Sequence, residues 1–238
     1  MTIQDKYDSK IIVALDFDDI RKARSFISKI DPNLCKLKVG KEMFTLFGPD
    51  WVRYLVEQDF SVFLDLKFFD IPNTVAKACK AAAQLGVWMV DVHASGGEVM
   101  MRAAQEAIDS VSGPRPLLTA VTVLTSFDEQ QYQSIGYHRT MEQQVKHLGK
   151  LAELSGLDGI VCSAQEANAM RVELGPEFKL VTPGIRPAGS ATEDQSRVMT
   201  PEMAIQSGVD YLVIGRPITQ SSEPLKVLCE ISESIKSL

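Results

Sequence analysis

Short apolar segments rich in β-branched residues alternate with helix-like segments along the whole sequence, and this alternation constrains the fold more than any other feature. A helix between two strands favours parallel pairing, because it returns the chain to the starting edge of the sheet. Eight apolar segments predict eight strands, at 11–15, 34–39, 62–66, 88–92, 117–123, 159–162, 178–181 and 211–214. We therefore predict an α/β fold, one closed (β/α)8 TIM barrel, that spans residues 1–238 as a single domain.

The segments between these strands have the composition of helices. We predict helices at 17–30, 50–58, 75–85, 99–108, 141–154, 165–173, 201–206 and 224–237. The alternative is an open, doubly wound sheet, which usually carries a glycine-rich phosphate turn after its first strand. The first strand here ends instead in Asp16-Phe17-Asp18-Asp19, which favours the barrel.

Charge and cysteine content restrict the class of protein. The chain has 238 residues, a net charge of −6 and a pI near 5.2. An acidic balance argues against general binding to nucleic acid or to a membrane surface, so an anionic ligand would need a local basic pocket. The polar segment 1–10 is unlike a signal peptide, and no apolar run reaches the length of a membrane span. We predict a cytoplasmic protein with four reduced core thiols, at Cys35, Cys79, Cys162 and Cys229.

A dense group of charged residues follows the third predicted strand, in the stretch Asp65-Leu66-Lys67-Phe68-Phe69-Asp70-Ile71-Pro72-Asn73-Thr74. Residues two apart on a strand share a face, so Asp65 and Lys67 point the same way. Asp70 lies just beyond, where the chain turns toward a helix. We predict that two carboxylates flank one ammonium at a strand-to-helix junction, where α/β folds place their chemistry. A structural salt bridge is the simpler alternative for any single Asp-x-Lys.

Other polar residues lie at the ends of the remaining predicted strands, where a barrel gathers its functional groups. They are Asp16, Lys38, His93, Thr125, Ser163, Arg186 and Arg216. Lys38 lies on the strand next to Asp65 and Lys67, about 4.8 Å away in the sheet direction. We predict a Lys–Asp–Lys array in which each charge has an opposite neighbour. Lys36 is predicted to be solvated or paired at the lower rim, and His93 fits a packing role at least as well as proton transfer.

The last two strand ends have the features of a phosphate site. Gly215-Arg216 follows the eighth strand and Pro183-Gly184 follows the seventh, which are positions where barrels bind phosphate. Glycine lets backbone N–H groups approach an anion, and arginine supplies a bidentate partner, although a surface ion pair is the alternative for Arg216. The polar stretch 187–200 is long for a connection in a barrel. It predicts either a lid that carries Gln195 over a ligand or a disordered surface loop.

These segments resemble the orotidine 5′-phosphate decarboxylase family of the bacterial type. Residues 65–74 match the family signature D-x-K-x-x-D-I-P-N-T. The similarity extends through Ala14-Leu15-Asp16, Leu37-Lys38-Val39-Gly40, Val92-His93-Ala94, Thr182-Pro183-Gly184-Ile185-Arg186 and Ile214-Gly215-Arg216, and so covers nearly the whole chain. It implies a TIM-barrel lyase that converts orotidine 5′-phosphate to uridine 5′-phosphate and CO₂, the last step of de novo pyrimidine synthesis, without a metal or another cofactor.

The resemblance also implies a role for each matching residue. Lys67 would donate a proton to C6 of the pyrimidine, and Asp65, Asp70 and Lys38 would complete the charged array around it. Asp70 and Thr74 would reach the site of a second subunit, which implies a homodimer. The other residues would bind substrate: Asp16 and Lys38 at the ribose hydroxyls, Thr125 near the base, and Arg186, Gln195, Gly215 and Arg216 at the phosphate.

The sequence leaves three alternative functions open. A metal-dependent decarboxylase or aldolase for keto-sugar phosphates would share the D-x-K-x-x-D core, but it would need an acid where this chain has Lys38, whose charge repels a metal ion. A Schiff-base aldolase would use Lys67 as a neutral nucleophile, whereas adjacent carboxylates favour the charged form. A nucleotide-binding regulator without turnover would not need the complete set of reactive groups.

Overall fold

The computed structural model describes residues 8–187, 199–236 and 238, and its centre is a closed barrel of eight parallel strands in chain order. The strands are β1 (Ile11–Leu15), β2 (Lys36–Gly40), β3 (Val62–Phe68), β4 (Met89–His93), β5 (Leu117–Val121), β6 (Gly159–Val161), β7 (Lys179–Pro183) and β8 (Tyr211–Ile214). The first strand closes the ring, because Ile12 is in register with Lys36 of β2 on one side and with Val213 of β8 on the other. The predicted fold, a single (β/α)8 barrel, is confirmed.

Helices follow the strands on the outside of the barrel. In the described part of the chain they are α1 (Ile20–Ile27), α2 (Lys41–Glu57), α3 (Pro72–Gln84), α4 (Gly97–Asp109), α5 (Glu129–Ser134), α6 (Met141–Leu154), α7 (Ala164–Leu174), α8 (Pro201–Gln206), α9 (Arg216–Thr219) and α10 (Pro224–Ile235). The bounds of α6 and α8 agree with the prediction. A capping box defines the start of α6, since Thr140 accepts the N–H of Gln143 and the Gln143 side chain accepts the N–H of Thr140.

Three α-helical segments were not predicted from the sequence. Helix α2 begins at Lys41, and Gly48, with a φ of 64°, breaks it just before Pro49. The sequence indicated only the part after this break, because Gly-Pro normally separates elements. Helix α5 was missed because its six residues, EQQYQS, are almost all polar, and α9 was missed because four residues are too few to show a period.

Alternation along each strand divides the buried side chains into two cores. Side chains that point into the barrel form a small central core, which includes Ile12, Phe63, Met89, Val161 and Val213. The intervening residues of the strands point outward and pack with the helices in a larger core. Because both faces are covered, each strand reads as a continuous apolar run, and a charged residue on an inward position is therefore conspicuous.

Lys36 closes the lower end of the barrel. Its side chain is only 7% exposed, and its Nζ lies 2.6 Å from Asp8 Oδ1 and 4.7 Å from the centre of the Trp88 ring. The Tyr211 hydroxyl donates a hydrogen bond of 3.0 Å to the other oxygen of Asp8. The prediction of a paired lysine at the lower rim is confirmed, and the solvated alternative is wrong because aromatic rings cover the ammonium group.

The prediction of four core thiols is wrong for one cysteine. Cys35, Cys79 and Cys162 are buried, whereas Cys229 on α10 is exposed. The buried face of α10 contains Leu228 and Ile231. Cys229 follows Leu228 directly and is therefore rotated about 100° away from that face. In the described residues, no helix is long and apolar enough to cross a membrane.

Candidate active site

A cavity of about 770 Å³ lies at the C-terminal ends of the strands, which is the end of the barrel where enzymes of this fold bind their ligands. Eight of the residues predicted from the sequence line it. They are Asp16, Lys38, Asp65, Lys67, Thr125, Arg186, Gly215 and Arg216. The structure thus brings together residues from strands or strand ends that are far apart in the sequence, and the cavity is the candidate active site.

Lys38, Asp65 and Lys67 form the charged array in the wall of this cavity. Lys38 Nζ lies 3.3 Å from Asp65 Oδ2, and Lys67 Nζ forms an ion pair with Asp65 Oδ1. One carboxylate therefore bridges two ammonium groups, one on each oxygen. The three side chains are largely buried, at 13%, 11% and 26% exposure in chain order, so water screens these interactions only weakly.

Burial and charge oppose each other in the pKa values of this array. Burial alone would raise the pKa of Asp65, but Lys38 and Lys67 outweigh burial and lower that pKa well below the ordinary value. Burial alone would lower the pKa of Lys67, but the surrounding carboxyl groups, Asp65 foremost, together outweigh burial, so the Lys67 pKa is raised. Both groups are consequently charged at neutral pH.

Asp91 on β4 is the residue that the sequence reasoning missed. It is fully buried, and its Oδ1 accepts a hydrogen bond of 2.8 Å from the backbone N–H of Lys67. Its Oδ2 lies 4.0 Å from Lys67 Nζ. The available signal was a carboxylate inside the apolar run Met89 to Val92, at an inward-facing position of the strand, where an acid is costly without a partner.

A bulge in β3 sets the direction of the Lys67 side chain. Leu64 is in register with Val90, but Phe68 is in register with Val92, so β3 contains two extra residues over this interval. Lys67 lies in the bulge with a φ of 52°, in the left-handed region that residues other than glycine rarely adopt. Strain of this kind persists where the surroundings over-determine the conformation, and it concentrates at functional sites.

Two arginines lie on the opposite side of the barrel, after β7 and β8. Arg186 is 7% exposed, and its Nη1 donates a hydrogen bond of 3.0 Å to the carbonyl of Ile185. Arg216 begins α9 directly after Gly215. Gly184 also lines the cavity and has a φ of 82°, a conformation that favours glycine. This side of the cavity therefore offers two guanidinium groups and glycine backbone.

Two predicted site residues lie outside the cavity. Asp70 and Thr74 are exposed and do not line the cavity of their own chain, and the Asp70 carboxylate accepts the N–H of Ile71 at 2.6 Å. Within one chain the second carboxylate beside Lys67 is thus Asp91, because the chain turns outward after Phe68. Gln195 lies outside the described residues.

His93 does not line the cavity either. It is half-buried, its ring centre lies 5.6 Å from that of Phe69, and burial lowers its pKa, with further contributions from Lys67 and Lys41. These contacts describe a packed, neutral imidazole.

A divalent cation would meet an unfavourable donor set in this cavity. Both oxygens of Asp65 already face ammonium groups, those of Lys38 and Lys67. In the described residues, no group of three or more His, Cys, Asp or Glu side chains is arranged to hold a metal ion.

The fold and the site define a (β/α)8-barrel enzyme whose cavity joins a lysine–carboxylate array to a pair of arginines. Residues 9–231 match the family model described as "Orotidine 5′-phosphate decarboxylase / HUMPS family". The chain belongs to this family.

Individual relatives are similar over almost their entire length. A protein of Vibrio cholerae named orotidine 5′-phosphate decarboxylase is 61% identical over 228 residues, which covers 96% of this chain and 99% of the relative. One of the same name from Vibrio campbellii is 60% identical over 231 residues, with 97% and 99% coverage. The crystal structure of orotidine 5′-phosphate decarboxylase from Lactobacillus acidophilus superposes with a TM-score of 0.86 at 37% identity, covering 96% of this chain and 99% of that one.

Proposed function

We propose that this chain decarboxylates orotidine 5′-phosphate to uridine 5′-phosphate and CO₂, the last step of uridine 5′-phosphate synthesis. The observation that carries the proposal is the position of Lys67, whose ammonium group is held by Asp65 in the wall of the strand-end cavity. Relatives about 60% identical carry the name of this activity and are matched over nearly their full length.

The reaction needs a cation beside one carbon atom. When the bond between C6 and the carboxylate breaks, the electron pair stays on C6 and CO₂ leaves. A fixed ammonium group stabilises this developing negative charge more than it stabilises the substrate, which is the requirement for catalysis. Lys67 Nζ then transfers a proton to C6, becomes neutral and regains a proton from water. The raised pKa of Lys67 ensures that the proton is present at the start.

The arginine side of the cavity suits the phosphate of the same substrate. Arg186 and Arg216 follow β7 and β8, across the ring from β3, so a nucleotide would extend from Lys67 to the arginines. Guanidinium groups bind phosphate through paired N–H donors. Binding energy gained at this remote group can be used to order the reacting end and to exclude water. Asp16 and Thr125, which line the cavity between these sides, would contact the ribose and the base, and Gln195 would contact the phosphate.

Lys38 distinguishes the proposed reaction from the metal-dependent alternative that the sequence left open. The metal-dependent keto-sugar-phosphate alternative requires a cation near the D-x-K-x-x-D core. Here Lys38 Nζ lies 3.3 Å from Asp65 Oδ2 and occupies the place that such an ion would need. We therefore propose that the reaction proceeds without a metal or any other cofactor.

A spectrophotometric assay tests this proposal. The purified chain is mixed with orotidine 5′-phosphate in the presence of a chelator, and the loss of the orotate absorbance is followed. We expect full turnover with chelator and equal turnover after Mg²⁺ is added. Tight binding without any change in absorbance would support a regulator instead, and activity that depends on Mg²⁺ would support the sugar-phosphate enzyme.

We further propose a homodimer in which Asp70 and Thr74 reach the site of the second subunit. Both residues are exposed, and two large apolar side chains beside them, Phe69 and Ile71, are 61% and 66% exposed. Exposed apolar residues that are grouped together are typical of an interface between proteins. Asp70, which is directed away from the cavity of its own chain, would then supply its carboxylate to the cavity of the second subunit.

Mixing two inactive variants tests this arrangement. Lys67→Ala and Asp70→Ala should each have little activity alone. When the two variants are unfolded and refolded together, about half of the dimers are mixed. Each mixed dimer has one site with both defects and one intact site, because a symmetric dimer has two equivalent sites. About one site in four therefore recovers activity. No recovery in mixtures that form dimers would contradict shared sites, and a monomer in sedimentation would contradict the dimer.

We also infer that the enzyme is cytoplasmic and that residues 1–238 form one catalytic domain. The support for the location is that Cys35, Cys79 and Cys162 are unpaired and buried, as in proteins of reducing compartments. The support for one domain is that β1 and β8 pair directly. A single calorimetric transition would agree with one domain, and two separate transitions would contradict it.

A further inference from the structure

Asp91 occupies a position in the barrel that ordinary core packing does not explain. It lies on β4 between Val90 and Val92, has no exposed surface, and is in register with Thr119 of β5. A buried carboxyl group without compensation costs several kcal/mol, so its presence calls for a specific partner. The partner is Lys67, through the backbone N–H that Asp91 Oδ1 accepts at 2.8 Å.

This hydrogen bond holds the bulge that points Lys67 into the cavity. Two extra residues of β3 lie between the register positions of Leu64 and Phe68. In such a bulge, the hydrogen bonds between neighbouring strands leave some backbone N–H and C=O groups without a partner. Asp91 replaces the missing ladder partner for Lys67, whose φ of 52° is otherwise unfavourable.

The second oxygen of Asp91 reveals the protonation state. No donor among the described residues hydrogen-bonds to Oδ2, and Lys67 Nζ, at 4.0 Å, is beyond hydrogen-bonding distance. The carboxyl groups of Asp65 and Asp91 both face the Lys67 ammonium group. Two carboxyl groups that share one buried site do not both ionise readily, so one of them carries a proton. Asp65 faces two lysines and retains its charge, so Asp91 is the group that carries it.

We propose that Asp91 is a positioning residue that acts as a neutral carboxylic acid, accepting the backbone N–H of Lys67 and donating its own proton to Asp65. It thereby fixes both members of the catalytic ion pair without adding a negative charge to the site. The inference rests on the proposed function, in which Lys67 donates the proton to C6.

The electrostatic surroundings agree with a neutral acid. Burial raises the pKa of Asp91 well above its ordinary value, and the neighbouring Asp65 carboxylate raises it further. The titratable groups that face Asp91 are Asp65 and Lys67 on β3 and the buried Cys79 thiol on α3. A second carboxylate here would place two negative charges on one ammonium group and would weaken the stabilisation that Lys67 offers to C6.

Two substitutions of similar size separate this role from simple packing. Asp91→Asn keeps an acceptor for the Lys67 N–H and a donor for Asp65, and it cannot ionise. Asp91→Leu removes both hydrogen bonds. Thr119→Val is the matched control, since Thr119 lies beside Asp91 in register, is fully buried and has a hydroxyl without a partner in the described residues.

We expect Asp91→Asn and Thr119→Val to retain kcat within about threefold. We expect the kcat of Asp91→Leu to fall about a hundredfold, since a displacement of about 1 Å at a catalytic group has an effect of this size. The KM of Asp91→Leu should change far less than its kcat, because the phosphate side is untouched. If Asp91→Asn loses as much activity as Asp91→Leu, the charge is required and the proposal is overturned. Unchanged kcat in Asp91→Leu would overturn it as well.

An infrared measurement without substrate covers the case in which Asp91→Leu does not fold. The difference spectrum of wild type minus Asp91→Asn at neutral pH should contain the band of a protonated carboxyl group. Absence of that band overturns the proposal. Because no turnover is involved, this result is independent of whether orotidine 5′-phosphate is the substrate.

Discussion

Two inward-pointing lysines on one strand, Lys36 and Lys38, show how the two ends of the barrel differ. They are two residues apart on β2, point into the barrel, and each faces a carboxylate. Trp88 and Tyr211 cover the ammonium of Lys36, whereas Lys38 lines the cavity. The lower pair closes the barrel, and the upper pair leaves its charge available to a ligand. We therefore propose that the same residue type contributes to stability at one end and to chemistry at the other.

Removal of the Lys67 ammonium should have the largest effect at the upper end. We expect Lys67→Ala to lose more than about a thousandfold in kcat, since loss of a single group that stabilises developing charge costs two to three orders of magnitude and the proton donor is lost as well. Binding of uridine 5′-phosphate, measured by calorimetry, should remain largely intact. Near-normal turnover would refute the role of proton donor.

Lys38 offers the direct counterpart to Lys36. We expect Lys38→Met to reduce kcat/KM by about a hundredfold, because Asp65 would lose one of its two cationic partners and the array would lose its alternation. Steady-state kinetics measure the change. If activity is unaffected, the distinction between the two ends of β2 fails.

Arg216 tests the other wall of the upper cavity. We expect Arg216→Ala to raise KM by about ten- to a hundredfold with a smaller change in kcat, because a charge-assisted hydrogen bond is worth about 1.5–3 kcal/mol. The free nucleoside orotidine, which has no phosphate, should be converted equally by wild type and variant. An unchanged KM for the phosphorylated substrate would remove Arg216 from the phosphate site.

Substitution of Lys36 at the lower end of the barrel should change the stability of the protein but not its activity. Lys36→Met keeps the length of the side chain but loses the ion pair with Asp8 and the cation–π contacts, and we expect a loss of about 1–3 kcal/mol in the free energy of unfolding. Urea denaturation measures it, and kcat should equal that of wild type. A large fall in kcat with unchanged stability would show that both ends take part in catalysis.

The last predicted effect is a dependence of stability on pH that comes from Asp91. Its pKa is raised in the folded state, so above the unfolded pKa of about 4 the folded protein binds one more proton than the unfolded chain. The contribution of Asp91 is therefore complete below pH about 4 and falls, by up to about 1.4 kcal/mol per pH unit, as the pH rises. Asp91→Asn should lack this slope in denaturation curves between pH 5 and pH 8. Parallel curves for the two proteins would contradict a neutral Asp91.

The sequence predicted the barrel because burial on both faces makes each strand a continuous apolar run. It also predicted most of the cavity, since Asp16, Lys38, Arg186 and Arg216 each follow or end such a run. Asp91 was missed for a physical reason. Its importance comes from a hydrogen bond to a bulge in the neighbouring strand, and the register shift that creates this bulge has no signature in either strand alone.

Asp70 shows a different limit. Spacing placed it close to Lys67, but the chain turns outward after β3 and leaves its carboxylate exposed beside Ile71. Whether such a residue serves a site depends on a second chain, and a pattern within one sequence cannot express that. Cys229 shows the same difficulty on a helix, where one residue of rotation separates a buried position from an exposed one.

A crystal structure with bound uridine 5′-phosphate tests the central claim most directly. We expect C6 of the pyrimidine to lie within about 3.5 Å of Lys67 Nζ, the distance of a reacting pair, with the phosphate at Arg186 and Arg216. A nucleotide bound in the cavity with C6 directed away from Lys67 would contradict it.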